Sequence, residues 1–306
     1  MTSTASVQTK NVPRSRSNRR RRAEARAALL FLAPAVMLVL VFRIFPLLWG
    51  FGISLTSATS TDPGQFIGLG NYLRALDDPN FRASIINASV VLLSVPFFVT
   101  GPMLLAILID QGVPGRMFFR SVYFLPAVLS SVIIGSIFSV VLGFNGSLNA
   151  LLNMLGMHGV DWLGRSVTAL PVTLIIQSWS TFGVGVLIFL AGLSTVPKEM
   201  VEAARLDGAK MWQIWWHVII PELRPIIEFS TVITTIGLLT SMFGLIYVLT
   251  AGGPGTATTV PEYLIWVAQG RLNQPAYAAA LSMILFTITG ALAWLQIRMM
   301  SRNVKL

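Results

Sequence analysis

Long apolar runs free of charge, separated by short polar stretches, dominate the chain. A helix needs about 20 mostly apolar residues to cross the hydrocarbon core of a bilayer. Runs of that length lie between Arg82 and Asp110, Arg120 and Asp161, Arg165 and Lys198, Glu228 and Glu262, and Arg271 and Arg298. A further run starts at Ala27 and continues, interrupted by Arg43 alone, to about Leu55. The pattern predicts an all-α integral membrane protein with six transmembrane helices, over 28–50, 86–109, 121–142, 169–193, 226–250 and 277–298. Pro34, Pro46, Pro96, Pro102, Pro126 and Pro171 fall inside these spans. Each removes a backbone donor and predicts a kink, which a membrane bundle tolerates when neighbours satisfy the freed carbonyl.

Composition supports a bilayer environment. Hydrophobic residues make up 54% of the chain and charged residues 11%, against about 25% charged in a soluble domain. The absence of cysteine excludes a disulfide framework, a thiolate metal site and a cysteine nucleophile.

The net charge of +10 raises the question of a nucleic-acid arm, because eight of the 22 basic residues sit among the first 26. No base-stacking aromatics are interleaved with them, and an apolar span follows at once. They read as a topogenic basic tail, residues 1–27, touching anionic lipid. No A-x-A-like cleavage site ends the following run at signal-peptide length, so the first span is expected to be retained. An even number of spans puts both termini on one side. Placing them in the cytoplasm gives 17 Lys+Arg inside and four outside, a positive-inside bias. Arg43 lies about 22 Å into the first span, in the outer third of a core about 30 Å thick. Its long side chain reaches the outer interface by snorkelling; a substrate or ion contact is the other reading.

The outer loops 56–84 and 143–166 carry turn chemistry and short helical patterns, too short for separate domains. The inner loop 197–224 differs. Pro197 opens a helix, Glu199 and Glu202 favour its positive end, and Gly208 suits its termination. A second short helix rich in Trp and Ile follows, which Pro221 is expected to close. Ala203 and Ala204 leave a shallow face that a partner can approach, ringed by Glu202, Arg205, Asp207 and Lys210 for charge-assisted contacts. Trp212, Trp215 and Trp216 are expected to anchor the second helix at the membrane interface. The bland alternative is an ordinary interfacial amphipathic hairpin.

Glu202-Ala203-Ala204, then Gly208, then Val218-Ile219-Ile220-Pro221 resembles the EAA signature of permease subunits of ATP-binding-cassette (ABC) importers. Val218 and Ile220 stand where Ile and Leu are usual. The flanking Pro197-Lys198-Glu199-Met200-Val201 and Asp207-Gly208-Ala209 look like the carbohydrate-uptake, maltose-type branch. So do the outer Gly68-Leu69-Gly70-Asn71-Tyr72 and the Gly252-Gly253-Pro254 with Thr258. The resemblance covers most of 28–306. It implies a maltose-type permease fold in the cytoplasmic membrane of a bacterium or archaeon. It also implies a heterodimer with a second permease subunit, two ATPase subunits and an extracytoplasmic solute-binding protein. Glu202, Ala203, Ala204, Arg205, Asp207 and Gly208 would dock on the ATPase.

The chain has no G-x-x-x-x-G-K-[ST], so ATP and Mg are expected on the partner ATPase and no cofactor on this chain. It has no H-E-x-x-H, and His158 and His217 fall on opposite sides, so neither catalysis nor a metal site is expected. Sugars are held by aromatic faces and hydroxyl-matching polar groups. Gln177, Trp179, Ser180 and Phe182 in span four and Thr240, Phe243 and Tyr247 in span five are the candidate substrate path; packing is the alternative for each. A secondary transporter would need buried coupling carboxylates, and the spans offer little beyond Glu228 at an inner end. An integral-membrane enzyme would need clustered acids or metal ligands. A disaccharide, a longer oligosaccharide and glycerol-3-phosphate all suit the resemblance.

Overall fold

The computed structural model describes residues 15–110 and 116–303. Among them the chain is helical, with an isolated antiparallel bridge between Thr56 and Phe66 in place of any sheet. It divides after Gly52 into two units.

The first unit holds α1 (Ser15–Val39), a π-helical turn (Leu40–Ile44) and most of α2 (Phe45–Ser54). The helix begins inside the basic stretch; residues 1–14 of the expected tail lie outside the described residues. Apart from half-buried Leu47, the large apolar side chains from Leu29 to Phe51 are exposed, as a helix surrounded by lipid or partner helices requires. Pro46 would meet the carbonyl four residues back in a regular helix. The preceding π turn, closed by the Phe45 N–H on the Leu40 carbonyl, opens the backbone at that place. Arg43 sits in this turn, exposed.

The second unit starts with α3 (Gly70–Asp77), followed by α4 (Pro79–Leu93) and α5 (Val95–Asp110). The helical run begins earlier than 86 because Asp78 caps it, its Oδ1 accepting from the Asn80 N–H at 2.8 Å. The stretch expected as one span over 121–142 is two helices, α6 (Arg116–Val128) and α7 (Ser131–Val141). Val122–Val128 and Ser131–Val141 meet at 111°. Two residues force the bend: Pro126 withholds its donor, and Ser130 caps α7 by accepting from the Ile133 N–H. After the outer α8 (Ser147–Met154) comes α9 (Ser166–Leu193), unbroken as expected. The inner loop forms α10 (Lys198–Leu206), α11 (Met211–Ile214), a π turn (Trp215–Ile219) and α12 (Ile220–Glu222). The span expected over 226–250 is α13 (Arg224–Thr240) and α14 (Phe243–Leu249), broken at Ser241 and Met242. The short α15 (Pro261–Trp266) and a π turn (Val267–Arg271) precede the last helix, α16 (Pro275–Asn303). α1, α5 and α9 run on through Pro34, Pro102 and Pro171.

Four helices, Ala27–Ser54, Pro79–Asp110, Ser166–Leu193 and Pro275–Met300, are long and apolar enough to cross a bilayer; two bent pairs raise the number to six. α9 is central to the second unit. A Cβ on Gly183 would collide with the Tyr123 carbonyl of α6, and one on Gly185 would lie 2.9 Å from the Pro102 ring of α5. Small residues let membrane helices approach this closely. The main core joins Phe98, Met103 and Ile107 of α5 to Val186 and Phe189 of α9, and both to Ile214, Ile219 and Leu223 of the inner loop.

Side-chain amides brace the outer loops. Asn71 donates to the Ser54 and Thr56 carbonyls at 2.9 and 2.7 Å, and the Tyr72 hydroxyl meets Ser54 Oγ at 2.6 Å. Asn149 Nδ2 donates to the Phe144 and Val160 carbonyls, and its Oδ1 accepts from the Val160 N–H and Trp162 Nε1. The Gly-Gly-Pro turn is laced by Thr258, whose Oγ1 donates to the Gly253 carbonyl at 2.8 Å, and by Thr259, which donates to Gly252 at 3.0 Å. Asn87 ties the same turn to α4 through the Thr256 and Thr259 carbonyls.

Candidate functional site: an inner elbow and a cavity beside the last span

The inner loop is an elbow. α10 ends where the Gly208 N–H bonds the Arg205 carbonyl and the Ala209 N–H reaches back to Ala204, both at 3.0 Å. Gly208 has φ +80°, a left-handed conformation that favours glycine. The second arm starts at Lys210, whose N–H donates to Gln213 Oε1 at 2.7 Å. His217 Nδ1 lies 2.9 Å from the Gln213 carbonyl; a carbonyl only accepts, so the ring proton sits on Nδ1.

One face of the elbow packs on the core: Val201, Ala204 and Ala209 lie against the cluster that contains buried Ile214, Ile219 and Leu223. The other face is open. Glu202, Ala203, Arg205, Asp207 and Gly208 are exposed, and Ala204 is half-buried. The expected docking residues therefore share one continuous exposed rim, except that Ala204 also seats the elbow. Leu206, not singled out from the sequence, is 89% exposed and stands three residues from Ala203 on the same helix face. An apolar residue held in water beside a helix end is the signal that marks it. Of the three tryptophans, Trp212 and Trp216 are exposed, while Trp215 packs against the core.

Pro221 does not close the second arm. The helix runs through it to Glu222 and bends by 68° between Met211–Glu222 and Arg224–Thr240. The π turn ahead of Pro221, closed by the Ile220 N–H on the Trp215 carbonyl, makes room for the ring. The same device precedes Pro46.

The second feature is the break in span five. Glu262 of α15 reaches Ser241–Met242 from outside both neighbouring spans. Its Oε2 accepts from the Met242 and Phe243 N–H groups at 2.9 and 3.0 Å, capping α14. Burial pushes this carboxyl up to about 7, against the opposing pull of the two N–H donors. Beside it α13, α14, α15 and α16 border an open cavity of about 780 Å³, lined by Thr240, Phe243, Glu262 and Trp266 and by Ser282 and Thr289 of α16.

The span-five candidates gather here. Thr240 and Phe243 line the cavity. Phe243, Tyr247 and Trp266 form one aromatic group, with ring centroids 4.8 to 5.9 Å apart. The span-four candidates do not line it. Trp179 meets Phe138 edge-on at 5.4 Å, Phe182 packs into the main core, Ser180 Oγ donates to the Gln177 carbonyl, and Gln177 is buried. No local pattern marks Glu262, because the N–H groups it serves lie 19 and 20 residues away in sequence, nor the contacts of Trp266 with Phe243 and Tyr247. No group of three metal-ligating side chains occurs among the described residues.

Residues 81–296 match the family described as binding-protein-dependent transport system inner membrane component. The chain belongs to that family. It is thus a multi-pass component of the inner membrane, one that works with a binding protein, and in this family the ATPase activity resides on separate subunits. The multiple sugar-binding transport system permease protein MsmF of Streptococcus mutans is 34% identical over 88% of this chain and 93% of its own length. The trehalose/maltose transport system permease protein MalF of Thermococcus litoralis is 33% identical over 77% of this chain and 81% of its own. A crystal structure of a bacterial ABC transporter involved in the import of the acidic polysaccharide alginate superposes with TM-score 0.82 at 23% identity. It covers 94% of this chain and 100% of that one. That likeness establishes the fold.

Proposed function

We propose that this chain is one of two permease subunits of an ABC importer that brings a carbohydrate into the cell. Six spans cross the membrane, with both termini and the basic tail in the cytoplasm. A second permease subunit, two ATPase subunits that carry ATP and Mg, and an extracytoplasmic solute-binding protein complete the machine. Support for the cargo comes from the curated relatives: the transport systems of MsmF and MalF are named for sugars. Glycerol-3-phosphate remains the outlying member of the cargo class.

The observation that carries the mechanism is the elbow. Its inward face is welded to the core through Ala204, Val201 and Ala209 while Glu202, Ala203, Arg205, Leu206, Asp207 and Gly208 stay exposed. Such a rigid projection transmits motion from a partner into the bundle. Docked in the ATPase, it moves as the two ATPase subunits close, and the cavity switches access. The coupling requires different contacts in each state. Thr240, Phe243 and Tyr247 belong to the solute path. Gln177, Trp179, Ser180 and Phe182 stay as candidates for it, each with a packing role already evident.

Gly208→Pro and Glu202→Lys test the assignment in whole cells. Proline cannot adopt the φ of +80° seen at 208, and Glu202→Lys reverses the rim charge. Both are expected to abolish uptake while membrane levels of the subunit stay normal. Normal uptake with both substitutions would remove the elbow from the mechanism.

A further inference from the structure

The cavity beside the last span holds groups suited to reading a solute. Phe243, Trp266, Ser282, Thr289 and Glu262 line it, with the Ser282 hydroxyl donating to the Ala278 carbonyl at 2.8 Å. Among the described residues lining it, Glu262 is the one ionisable side chain, and the Arg271 guanidinium lies over the Trp266 ring, 4.9 Å from the centroid. The capping role uses Glu262 Oε2, and no hydrogen bond to Oε1 occurs among the described residues. Thr289 Oγ1 is buried without a partner at the same wall. A structural cap does not require a carboxylate: Ser, Thr or Asn serves as well. The free oxygen of Glu262 accepts hydrogen bonds from hydroxyl groups, and the ionised form, which predominates above about pH 7, repels an anion. Acyl chains offer no donor to it, which argues against a lipid as the occupant.

We propose that Glu262 is the specificity-determining contact of this cavity, accepting hydrogen bonds from the hydroxyls of an uncharged carbohydrate and turning away solutes that carry phosphate or carboxylate. This rests on the reading of the chain as a carbohydrate permease and narrows its cargo class. Trp266 and Phe243 supply the apolar faces against which a pyranose ring lies.

The absence of cysteine provides a direct test. A Cβ added at Gly290, which lines the cavity, meets open space, so Gly290→Cys is a suitable reporter. The complete importer, with its partner subunits and binding protein, is assayed for uptake of neutral di- and oligosaccharides, a uronate disaccharide and glycerol-3-phosphate. The thiol of Gly290→Cys is then titrated with a water-soluble, charged methanethiosulfonate during transport. A neutral sugar is expected to be taken up and to slow the labelling. Glu262→Gln, which keeps an oxygen acceptor for the cap, is expected to cut both uptake and protection about tenfold, the scale of one hydrogen bond to a charged group, at normal membrane levels. It should also raise relative uptake of glycerol-3-phosphate. Three results would overturn the inference: preferred uptake of an anionic solute by the unaltered importer, equal protection with Glu262→Gln, or labelling by a lipophilic maleimide alone. Failure to take up any carbohydrate would instead remove the sugar reading, and this inference with it.

Discussion

Asn71 gives the Gly-Leu-Gly-Asn-Tyr element a physical role. Its amide nitrogen donates to two backbone carbonyls, of Ser54 and Thr56, which would otherwise lose a partner where the chain leaves α2. Asn71→Ala removes the donor that both carbonyls share and is expected to cost about 1–3 kcal/mol. The measurement is thermal unfolding of the purified subunit complex, with a lower midpoint expected and an unchanged midpoint contradicting the role. The motif was legible in the sequence because it is a contiguous run; the contacts Asn71 makes, 15 and 17 residues back, were not. Nor was Glu262. It serves N–H groups of Met242 and Phe243, and nothing in the apolar run 226–250 announces that its backbone needs an acceptor from elsewhere. A break without Pro or Gly is silent until its cap is seen.

Among the elements, α9 makes the sharpest steric demand. Its Gly183 sits against the Tyr123 carbonyl, whereas a Cβ at Gly237 of α13 would meet nothing within 4 Å. Gly183→Leu is therefore expected to separate α6 from α9, a strain of at least the ~1–3 kcal/mol typical of overpacking. Monodisperse recovery after detergent extraction should fall several-fold, and Gly237→Leu should leave it near the parent level. Equal recovery for the two would contradict the packing. The straight helices α9 and α16 were legible from apolar run length. The right-angled joint between α6 and α7 was not, although Pro126 and Ser130 supply its chemistry; prolines at 34, 102 and 171 pass through unbroken helix, so a proline alone does not announce a break. In the elbow, Gly208 was legible because a helix end needs the left-handed conformation. The continuation through Pro221 was hidden because a π turn leaves no residue signature.

At the scale of the whole molecule, an apolar bundle carries an exposed elbow. The orientation proposed from the 17-to-4 distribution of Lys and Arg is open to a direct test. It predicts that a single cysteine replacing exposed Leu155 of the outer loop reacts with a membrane-impermeant maleimide in intact cells, while one replacing Leu206 reacts only after the membrane is opened. The reverse pattern would invert the topology.

The central claim is that the 197–224 elbow joins this permease to an ATPase. It is tested most directly by isolating the tagged chain from its native membranes with mild detergent, with and without Leu206→Asp and Glu202→Lys. An ATP-hydrolysing subunit is predicted to accompany the unaltered chain, to be lost when both substitutions are present, and to be retained when Gly237→Ala is made instead. No ATPase with the unaltered chain, or the same amount with the double variant, would contradict the account.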